Sequence, residues 1–141
     1  MNRRPSFVLD CSLAMAWCFD DETSDYSEEV LDTLANVTAV VPALWSVEVS
    51  NTLLMAERKK RIVHVKSIAF REYLTLLLIE VDDYLLKKPI EIILDVAKET
   101  GLTAYEATYL ELAMRKNLPI ATLDRELKSA AQKVGVPIYS A

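Results

Sequence analysis

The sequence has 141 residues, of which 52% are hydrophobic, and its formal charge at pH 7 is −5. This length and apolar content predict one domain over residues 1–141 with a buried core. The negative charge argues against a protein that holds nucleic acid through a broad basic surface, but it allows a nucleic-acid substrate at a site where divalent cations offset carboxylates.

The first half of the chain alternates short apolar runs with amphipathic stretches. Residues 6–9 are predicted to form a strand, and Ser12 is expected to cap the short helix that follows. A second helix is predicted over residues 25–35 and a second strand over residues 39–41. Pro42 is expected in the first turn of a long helix that reaches about residue 60.

The second half continues the alternation, with Gly101 as a helix stop. Helices are predicted over residues 64–77, 89–99, 103–116 and 125–133, and strands over residues 79–81, 119–122 and 137–139. Strands that alternate with helices indicate parallel βαβ units. The fold class predicted is therefore α/β, a Rossmann-like three-layer α/β/α sandwich with a mostly parallel central sheet.

Two aspartates, Asp10 and Asp124, directly follow predicted strands. Parallel strands bring their carboxyl ends to one edge of the sheet, where α/β proteins bind ligands. Each aspartate also has a local structural explanation, because Asp124 precedes a helix and can cap it, and Asp10 can act in the same way. Together they favour a site lined with carboxylates.

The long helix carries two polar residues, Glu48 and Asn51, within its predicted apolar face. That face is formed by residues at helical spacing: Leu44, Val47, Leu54 and Met55. A carboxylate among such residues is costly unless it is paired, hydrogen-bonded or bound to metal. The alternative is a partly exposed glutamate at the edge of the face, and periodicity does not decide between the two.

Glu106 is a further candidate acid, at the start of a predicted helix. Together with Thr103 it fits a capping box, in which the glutamate accepts a hydrogen bond from the backbone N–H of the cap residue. The sequence therefore offers both a structural and a metal-binding role for this side chain.

Several other chemistries are disfavoured by the residues present. The single histidine, His64, has no serine or cysteine motif around it and is expected on the surface, which argues against nucleophilic triads and zinc. Gly101 and Gly135 are too few for a phosphate-binding loop. Cys11 and Cys18 do not form a disulfide framework, and no run approaches the roughly 20 apolar residues that span a bilayer, so a cytoplasmic protein without membrane attachment is expected.

The remaining basic and aromatic residues receive structural interpretations. The basic run 58–61 is expected to be a solvated helix end, with guidance of an RNA backbone as an alternative. The basic pairs 87–88 and 115–116 are expected on the surface. Four aromatic residues are expected to be core or interface residues: Trp17, Trp45, Tyr105 and Tyr109.

Four segments in order resemble the PIN domain nucleases, and within them the VapC toxins of prokaryotic toxin–antitoxin modules. They are residues 7–12 (FVLDCS), 42–54 (PALWSVEVSNTLL), 102–113 (LTAYEATYLELA) and 118–127 (LPIATLDREL). Four ordered motifs are far more specific than any one of them. The resemblance covers nearly the whole chain.

The resemblance implies a metal-dependent endoribonuclease that cleaves RNA phosphodiesters with a metal-activated water. It implies an acidic quartet around Mg²⁺ or Mn²⁺, formed by Asp10, Glu48, Glu106 and Asp124. Asn51 matches an asparagine beside the site, and Ser12 and Thr122 match small hydroxyl residues that support the metal-binding acids. The resemblance also implies a homodimer and inhibition by a cognate VapB-like antitoxin.

Glu106 departs from the family motif, which has Tyr-Asp-Ala where this chain has Tyr105-Glu106-Ala107. Because Mg²⁺ demands near-ideal octahedral geometry, the extra methylene can alter metal affinity or rate. A second hypothesis is therefore a PIN-like binding or regulatory module with weakened catalysis. A third is a receiver-like or phosphatase domain, but Asp10-Cys11-Ser12 lacks the second acid that those folds place after the first strand.

Overall fold

The computed structural model describes residues 4–86 and 89–141. Lys87 and Lys88, expected on the surface, lie outside this range. The described residues form a four-stranded, all-parallel sheet of order β3-β2-β1-β4, and Ile138 pairs in parallel with Ile120 beyond it. The strands are β1 (Phe7–Leu9), β2 (Ala39–Pro42), β3 (Ile79–Asp82) and β4 (Ile120–Ala121).

Helices connect these strands in the predicted order. They are α1 (Cys11–Ala16), α2 (Asp25–Thr33), α3 (Leu44–Arg58), α4 (His64–Leu74), α5 (Pro89–Thr100), α6 (Ala104–Lys116) and α7 (Arg125–Lys133), with 3₁₀ turns at Asp20–Glu22 and Tyr84–Leu86. The predicted α/β class is confirmed. Gly101 ends α5 as predicted, with the positive φ of 77° that a glycine adopts readily.

Every residue of β1 and β2 is buried, so both faces of the sheet centre are covered. Consecutive residues of a strand point to opposite faces, and a strand that is buried throughout therefore needs helices on both sides. Helix α6 packs against β1 and β2, and α3 packs against β2. The largest fully buried side chains of these elements include Phe7, Leu9, Val40, Tyr109 and Leu110.

Two predicted helix starts are wrong. Ser12 does not cap α1, because Asp10 occupies the N-cap position and the Ser12 hydroxyl donates a hydrogen bond to the Asp10 carboxylate. Pro42 is the last residue of β2, where it pairs with Asp82, and α3 begins two residues later at Leu44. The missing N–H of proline is tolerated at the end of a strand as well as in the first turn of a helix.

The predicted buried face of α3 is also wrong. Val47 is 65% exposed, and Leu54 and Met55 are exposed as well. The buried residues are instead Trp45, Val49, Leu53 and Ala56. This helix carries two apolar stripes at helical spacing, and only the packing of the other elements determines which one is covered.

Arg115 is not on the surface as expected. Its guanidinium contacts the Asp82 carboxylate at 2.7 Å and the Glu111 carboxylate at 2.6 Å, and it lies over the Tyr84 ring. These contacts join the end of β3 to α6. We call Asp82, Glu111 and Arg115 the arginine cluster.

The register of β1 and β4 places Asp10, a candidate acid, beside Thr122. Leu9 pairs with Ala121, and the backbone N–H of Asp10 donates to the carbonyl of Ala121 over 3.0 Å. Asp10 and Thr122 therefore emerge side by side at the carboxyl edge of the sheet. Across residues 4–86 and 89–141, no helix is long and apolar enough to cross a membrane.

Candidate functional site

A cleft of about 460 Å³ lies at the carboxyl edge of the sheet, between α1, α3 and α6. All four predicted metal-binding acids line it, together with Ser12 and Asn51. Glu22 is a fifth lining carboxylate, which the sequence did not single out. In the part of the chain that the structure describes, no lysine, arginine or histidine lines this cleft. We call it the acid cleft.

Asp10 lies at the base of the acid cleft and is only 7% exposed. Its Oδ2 atom accepts hydrogen bonds from the Ser12 hydroxyl at 2.5 Å and from the Thr122 hydroxyl at 2.8 Å. Although Asp10 occupies the N-cap position of α1, its side chain makes no capping hydrogen bond. Asp10 therefore does not cap α1 with its side chain, but its carboxylate is held by two hydroxyls, one of them on the nearby Ser12.

Thr122, which is fully buried, links Asp10 to Asp124. Its hydroxyl donates to Asp10 and accepts the Asp124 backbone N–H at 2.9 Å. Asp124 caps α7, because its Oδ1 atom accepts the backbone N–H groups of Glu126 and Leu127. The structural role predicted for Asp124 is therefore present, and it occupies one oxygen of the carboxylate.

Glu48 projects from α3 and is half-buried, at the boundary between the buried and exposed faces of the helix. The sequence left open whether Glu48 lies within a buried face or at its edge, and in the structure Glu48 lies at the edge. Its Oε1 atom accepts a hydrogen bond from the Tyr109 hydroxyl at 2.5 Å. Tyr109, expected to be a core aromatic residue, is 1% exposed and also borders the acid cleft.

Glu106 forms the predicted capping box with Thr103. Its Oε2 atom accepts the Thr103 backbone N–H at 3.1 Å, and the Thr103 hydroxyl accepts the Glu106 backbone N–H at 3.2 Å. Glu106 therefore takes part in the capping box through Oε2 and also lines the acid cleft.

The environment of the acid cleft favours the protonated, neutral form of its carboxyl groups when no cation is present. Burial, and secondarily the charge of Asp124, raise the pKa of Asp10, although hydrogen bonds from Ser12 and Thr122 act in the opposite direction. Burial and the neighbouring acids likewise raise the pKa values of Glu48 and Glu106. Carboxylates that are desolvated and crowded together in this way are stabilised by a bound cation.

The donor set of the acid cleft fits a hydrated divalent ion. The hydrogen bonds described above go to one oxygen of each candidate acid, namely Asp10 Oδ2, Glu48 Oε1, Glu106 Oε2 and Asp124 Oδ1. Within residues 4–86 and 89–141, no three potential ligands are close enough to form a ready-made metal cage. Mg²⁺ keeps several waters and binds through only one or two carboxylates, so an open cleft suits it.

Glu22 is held at the rim of the acid cleft by Arg61. The guanidinium contacts the Glu22 carboxylate at 2.8 Å and the Asp21 carboxylate at 2.7 Å, and it stacks over the Phe19 ring. Arg61 is therefore not a simply solvated member of the basic run 58–61. The contacts span about forty residues of sequence, so local patterns give no signal for them.

Two grooves adjoin the acid cleft. A strongly apolar groove of about 540 Å³ runs between α5, α6 and the start of α3, and Tyr105 lines both this groove and the cleft. We call it the apolar groove. A second groove of about 540 Å³, lined by residues 17–21 and by 60–63, 66 and 70, lies on the far side of the pair between Arg61 and Glu22. We call it the mixed groove, because charged and apolar side chains line it together.

Comparison with known proteins gives the same fold and a family. The model of the PIN domain matches residues 7–133. PAE2754 from Pyrobaculum aerophilum has a similar structure, with a TM-score of 0.67 and 24% sequence identity over 89% of this chain and 79% of that one. VapBC2 from Rickettsia felis, solved bound to a DNA fragment from their promoter, gives a TM-score of 0.63 and 12% identity over 95% and 96% of the two chains. No curated protein matches the sequence significantly.

The two structural likenesses concern the fold, since both identities are below 25%. The family match covers far more than half of the sequence and includes the four segments in which the resemblance was found. This chain belongs to the PIN domain family.

Proposed function

We propose that this protein is a metal-dependent endoribonuclease of the VapC type, which hydrolyses RNA phosphodiesters in the acid cleft. PIN domains are generally nucleases. The observation that carries the proposal is the composition of the acid cleft, which has five lining carboxylates and no lining cation among the described residues. Of these carboxylates only Glu22 is paired with a described cation, Arg61 at the rim, and Asp10, Glu48 and Glu106 have raised pKa values. The negative charge of such a site attracts a divalent cation, and it would repel an RNA phosphate if no cation were bound.

The four acids of the predicted quartet are assigned as the metal-binding residues. Asp10, Glu48, Glu106 and Asp124 would contribute carboxylate oxygens other than those that accept the hydrogen bonds described above. A bound Mg²⁺ or Mn²⁺ supplies a water of lowered pKa and offsets the charge that develops on phosphate and leaving oxygens. The carboxylates keep that water oriented, and the hydroxyls of Ser12 and Thr122 keep Asp10 in place.

The reaction proposed is hydrolysis with the attacking and leaving oxygens in line. The oxygen of water would form a bond to phosphorus and give up one proton, while the bond from phosphorus to the 3′ oxygen breaks and the leaving oxygen takes up one proton. The products are a 5′-phosphate and a 3′-hydroxyl. An RNA substrate in turn requires a location where RNA is present, which in a prokaryotic cell is the cytoplasm.

The test is RNA cleavage by the purified protein in Mg²⁺ or Mn²⁺, compared with the same reaction in EDTA. Wild-type protein is expected to cleave with metal only, and Asp10→Asn is expected to be inactive because it removes the charge at the base of the cleft. Asp32→Asn, which changes an exposed aspartate on α2, is the matched control and is expected to remain active. Equal cleavage by wild type and Asp10→Asn would exclude the acid cleft as the catalytic site.

The second candidate function is a PIN-like module with weakened catalysis, and the observation that favours it is the capping box of Glu106. A glutamate that is tied to Thr103 and is one methylene longer than aspartate places its free oxygen differently. Glu106→Asp separates the two functions in the same cleavage assay. Activity in Glu106→Asp together with an inactive wild type would establish the weakened module.

The proposed partners are a second copy of this chain, which the resemblance to VapC toxins implies, and a VapB-like antitoxin, which the structural likeness to VapBC2 suggests. The apolar groove suits a permanent homodimer, because homodimer interfaces are more apolar than the interfaces of non-obligate complexes. Leu94→Glu in this groove is expected to yield a monomer in light scattering, whereas Val65→Glu, an exposed position on α4, is expected to leave the dimer intact. A monomeric wild type would refute this assignment.

The mixed groove suits the antitoxin. It combines apolar, basic and acidic side chains and borders the acid cleft through the pair between Arg61 and Glu22. An antitoxin segment in this groove would bring a basic side chain of its own to the carboxylates. Co-expression of the chain with a VapB-like antitoxin candidate, followed by the cleavage assay, tests the inhibition directly.

A further inference from the structure

Among residues 4–86 and 89–141, Tyr109 is the one aromatic side chain that donates a hydrogen bond to a candidate metal-binding acid. It lies on α6, is 1% exposed, and its hydroxyl donates to Glu48 Oε1 on α3. The hydrogen bond of 2.5 Å is short, and it joins residues 61 positions apart in the sequence. Tyr109 therefore fixes the distance between two helices at the wall of the acid cleft.

The hydroxyl is not needed for packing. A phenylalanine at this position would fill the same apolar volume, and burial of a hydroxyl is costly unless it is hydrogen-bonded. The only described acceptor of the hydroxyl proton of Tyr109 is the Glu48 carboxylate.

Glu48 needs such a donor more than the other acids do. It has a long, flexible side chain and stands half-buried at the edge of the exposed face of α3. Asp10 is shorter and is held by two hydroxyls, and Asp124 and Glu106 are held by backbone N–H groups of nearby residues. For Glu48, the Tyr109 hydroxyl is the only described side-chain or backbone group that donates to the carboxylate.

We propose that Tyr109 is a positioning residue, which holds Glu48 Oε1 so that Glu48 Oε2 is presented as a metal ligand. The inference rests on the proposed function, since it concerns the same metal site. Donors of this kind fix the orientation of a ligating side chain, and their loss lowers metal affinity by about 10–100-fold.

The experiment compares Tyr109→Phe with wild type by calorimetric titration of the full chain with Mn²⁺, without RNA. The dissociation constant for Mn²⁺ is expected to rise by at least about 10-fold. The matched control is Tyr26→Phe, which removes a partly buried hydroxyl that donates to the Tyr139 carbonyl at 2.7 Å, remote from the acid cleft. Its dissociation constant is expected to equal that of wild type.

Cleavage and thermal unfolding are measured on the same three proteins. If Tyr109 acts through metal binding, the Mn²⁺ concentration for half-maximal cleavage rises in Tyr109→Phe while the KM for RNA is unchanged. An unchanged Mn²⁺ dissociation constant in Tyr109→Phe overturns the inference. Loss of folding in Tyr109→Phe also overturns it, since the hydroxyl would then serve the core rather than Glu48.

The outcomes also separate this inference from the proposed function. A wild-type protein that binds Mn²⁺ but cleaves no RNA refutes the nuclease, and the role of Tyr109 is then decided by the dissociation constants alone. A wild-type protein that does not bind Mn²⁺ refutes both.

Discussion

The acid cleft and the arginine cluster both contain acids at the carboxyl edge of the sheet, but they differ in what neutralises them. Asp82 ends β3 and is paired with Arg115, whereas Asp10 follows β1 and is surrounded by hydroxyls and other carboxylates. Accordingly the pKa of Asp82 is lowered, because the Arg115 hydrogen bonds and charge outweigh its burial, and the pKa of Asp10 is raised. An acid at a strand end indicates function only when no protein cation is paired with it.

The largest expected effect is the loss of cleavage in Asp10→Asn. Asparagine keeps the shape of the side chain and can still accept a hydrogen bond from Thr122, but it removes the charge that a metal ion requires. A metal ion supplies several kcal/mol of transition-state stabilisation, so cleavage is expected to fall about 1000-fold. Single-turnover cleavage of RNA in saturating Mn²⁺ measures the change.

In the arginine cluster, Arg115→Ala is expected to lower the stability of the protein without affecting the metal site. Removal of the guanidinium leaves Glu111 without its partner and Asp82 with only the Lys116 ammonium at 3.8 Å, and the two carboxylate side chains are only 7% and 12% exposed. Breaking a buried pair costs 3–5 kcal/mol, and because Arg115 itself is partly exposed we expect about 2 kcal/mol. Urea unfolding measures this loss. The Mn²⁺ dissociation constant is expected to be unchanged.

Arg71→Ala, on an exposed position of α4, is the matched control for this change and is expected to leave the free energy of unfolding within about 0.5 kcal/mol of wild type. If Arg115→Ala weakened Mn²⁺ binding without destabilising the protein, the distinction between the two regions would be wrong.

The pH dependence of stability is expected to have opposite signs in the two regions. In metal-free protein, the raised pKa values of Asp10, Glu48 and Glu106 mean that the folded state binds more protons than the unfolded state, so the free energy of unfolding falls as the pH rises above their ordinary values of 3.8 and 4.5. Asp82, with a lowered pKa, contributes stability that is present above 3.8 and lost as the pH falls below it.

Urea unfolding in EDTA across this pH range tests both signs. Asp10→Asn is expected to flatten the decline toward neutral pH and to stabilise the metal-free protein there by about 1 kcal/mol, a gain typical of removing a strained functional group. Asp82→Asn is expected to remove the loss of stability at acid pH. A metal-free wild type that became more stable between about pH 4.5 and pH 7 would contradict the expected sign for the acid cleft.

The smallest expected effect concerns Glu106, which belongs to the acid cleft and also does structural work. Glu106→Gln keeps an acceptor for the Thr103 backbone N–H, whereas Glu106→Ala loses it. Glu106→Ala is therefore expected to destabilise the protein by about 0.5–1 kcal/mol relative to Glu106→Gln. Both variants are expected to bind Mn²⁺ more weakly than wild type. Thermal unfolding and calorimetry measure the two quantities separately.

Local sequence patterns predicted the elements of this fold well. Helix α7 was predicted over residues 125–133, as observed, and all four strands lie within two residues of their predicted bounds. Turn and capping residues such as Gly101 and Thr103 act within a few positions of themselves, so their effects can be read from neighbouring residues. Strand alternation then placed Asp10 and Asp124 at the same edge of the sheet.

Contacts between distant segments were not predictable in the same way. The covered stripe of α3 depends on which helices pack against it, and both stripes satisfy the same periodicity. The hydrogen bond between Tyr109 and Glu48 and the pairing of Arg115 with Asp82 link segments 61 and 33 residues apart. The residues next to Tyr109 and Arg115 in the sequence do not indicate these partners. Tyr109 was therefore expected only to be a core or interface residue, and Arg115 to lie on the surface.

The position of β4 beside β1 has a consequence for the synthesis of the protein. The strand that precedes Asp10 is synthesised before residues 120 and 121, which form its neighbour on one side. Until those residues emerge, Thr122 cannot hold Asp10 and Asp124 is missing from the cleft. A nascent chain in which Asp124 has not yet been made therefore has an incomplete acid cleft, and the proposed metal site would be complete only after that residue has left the ribosome.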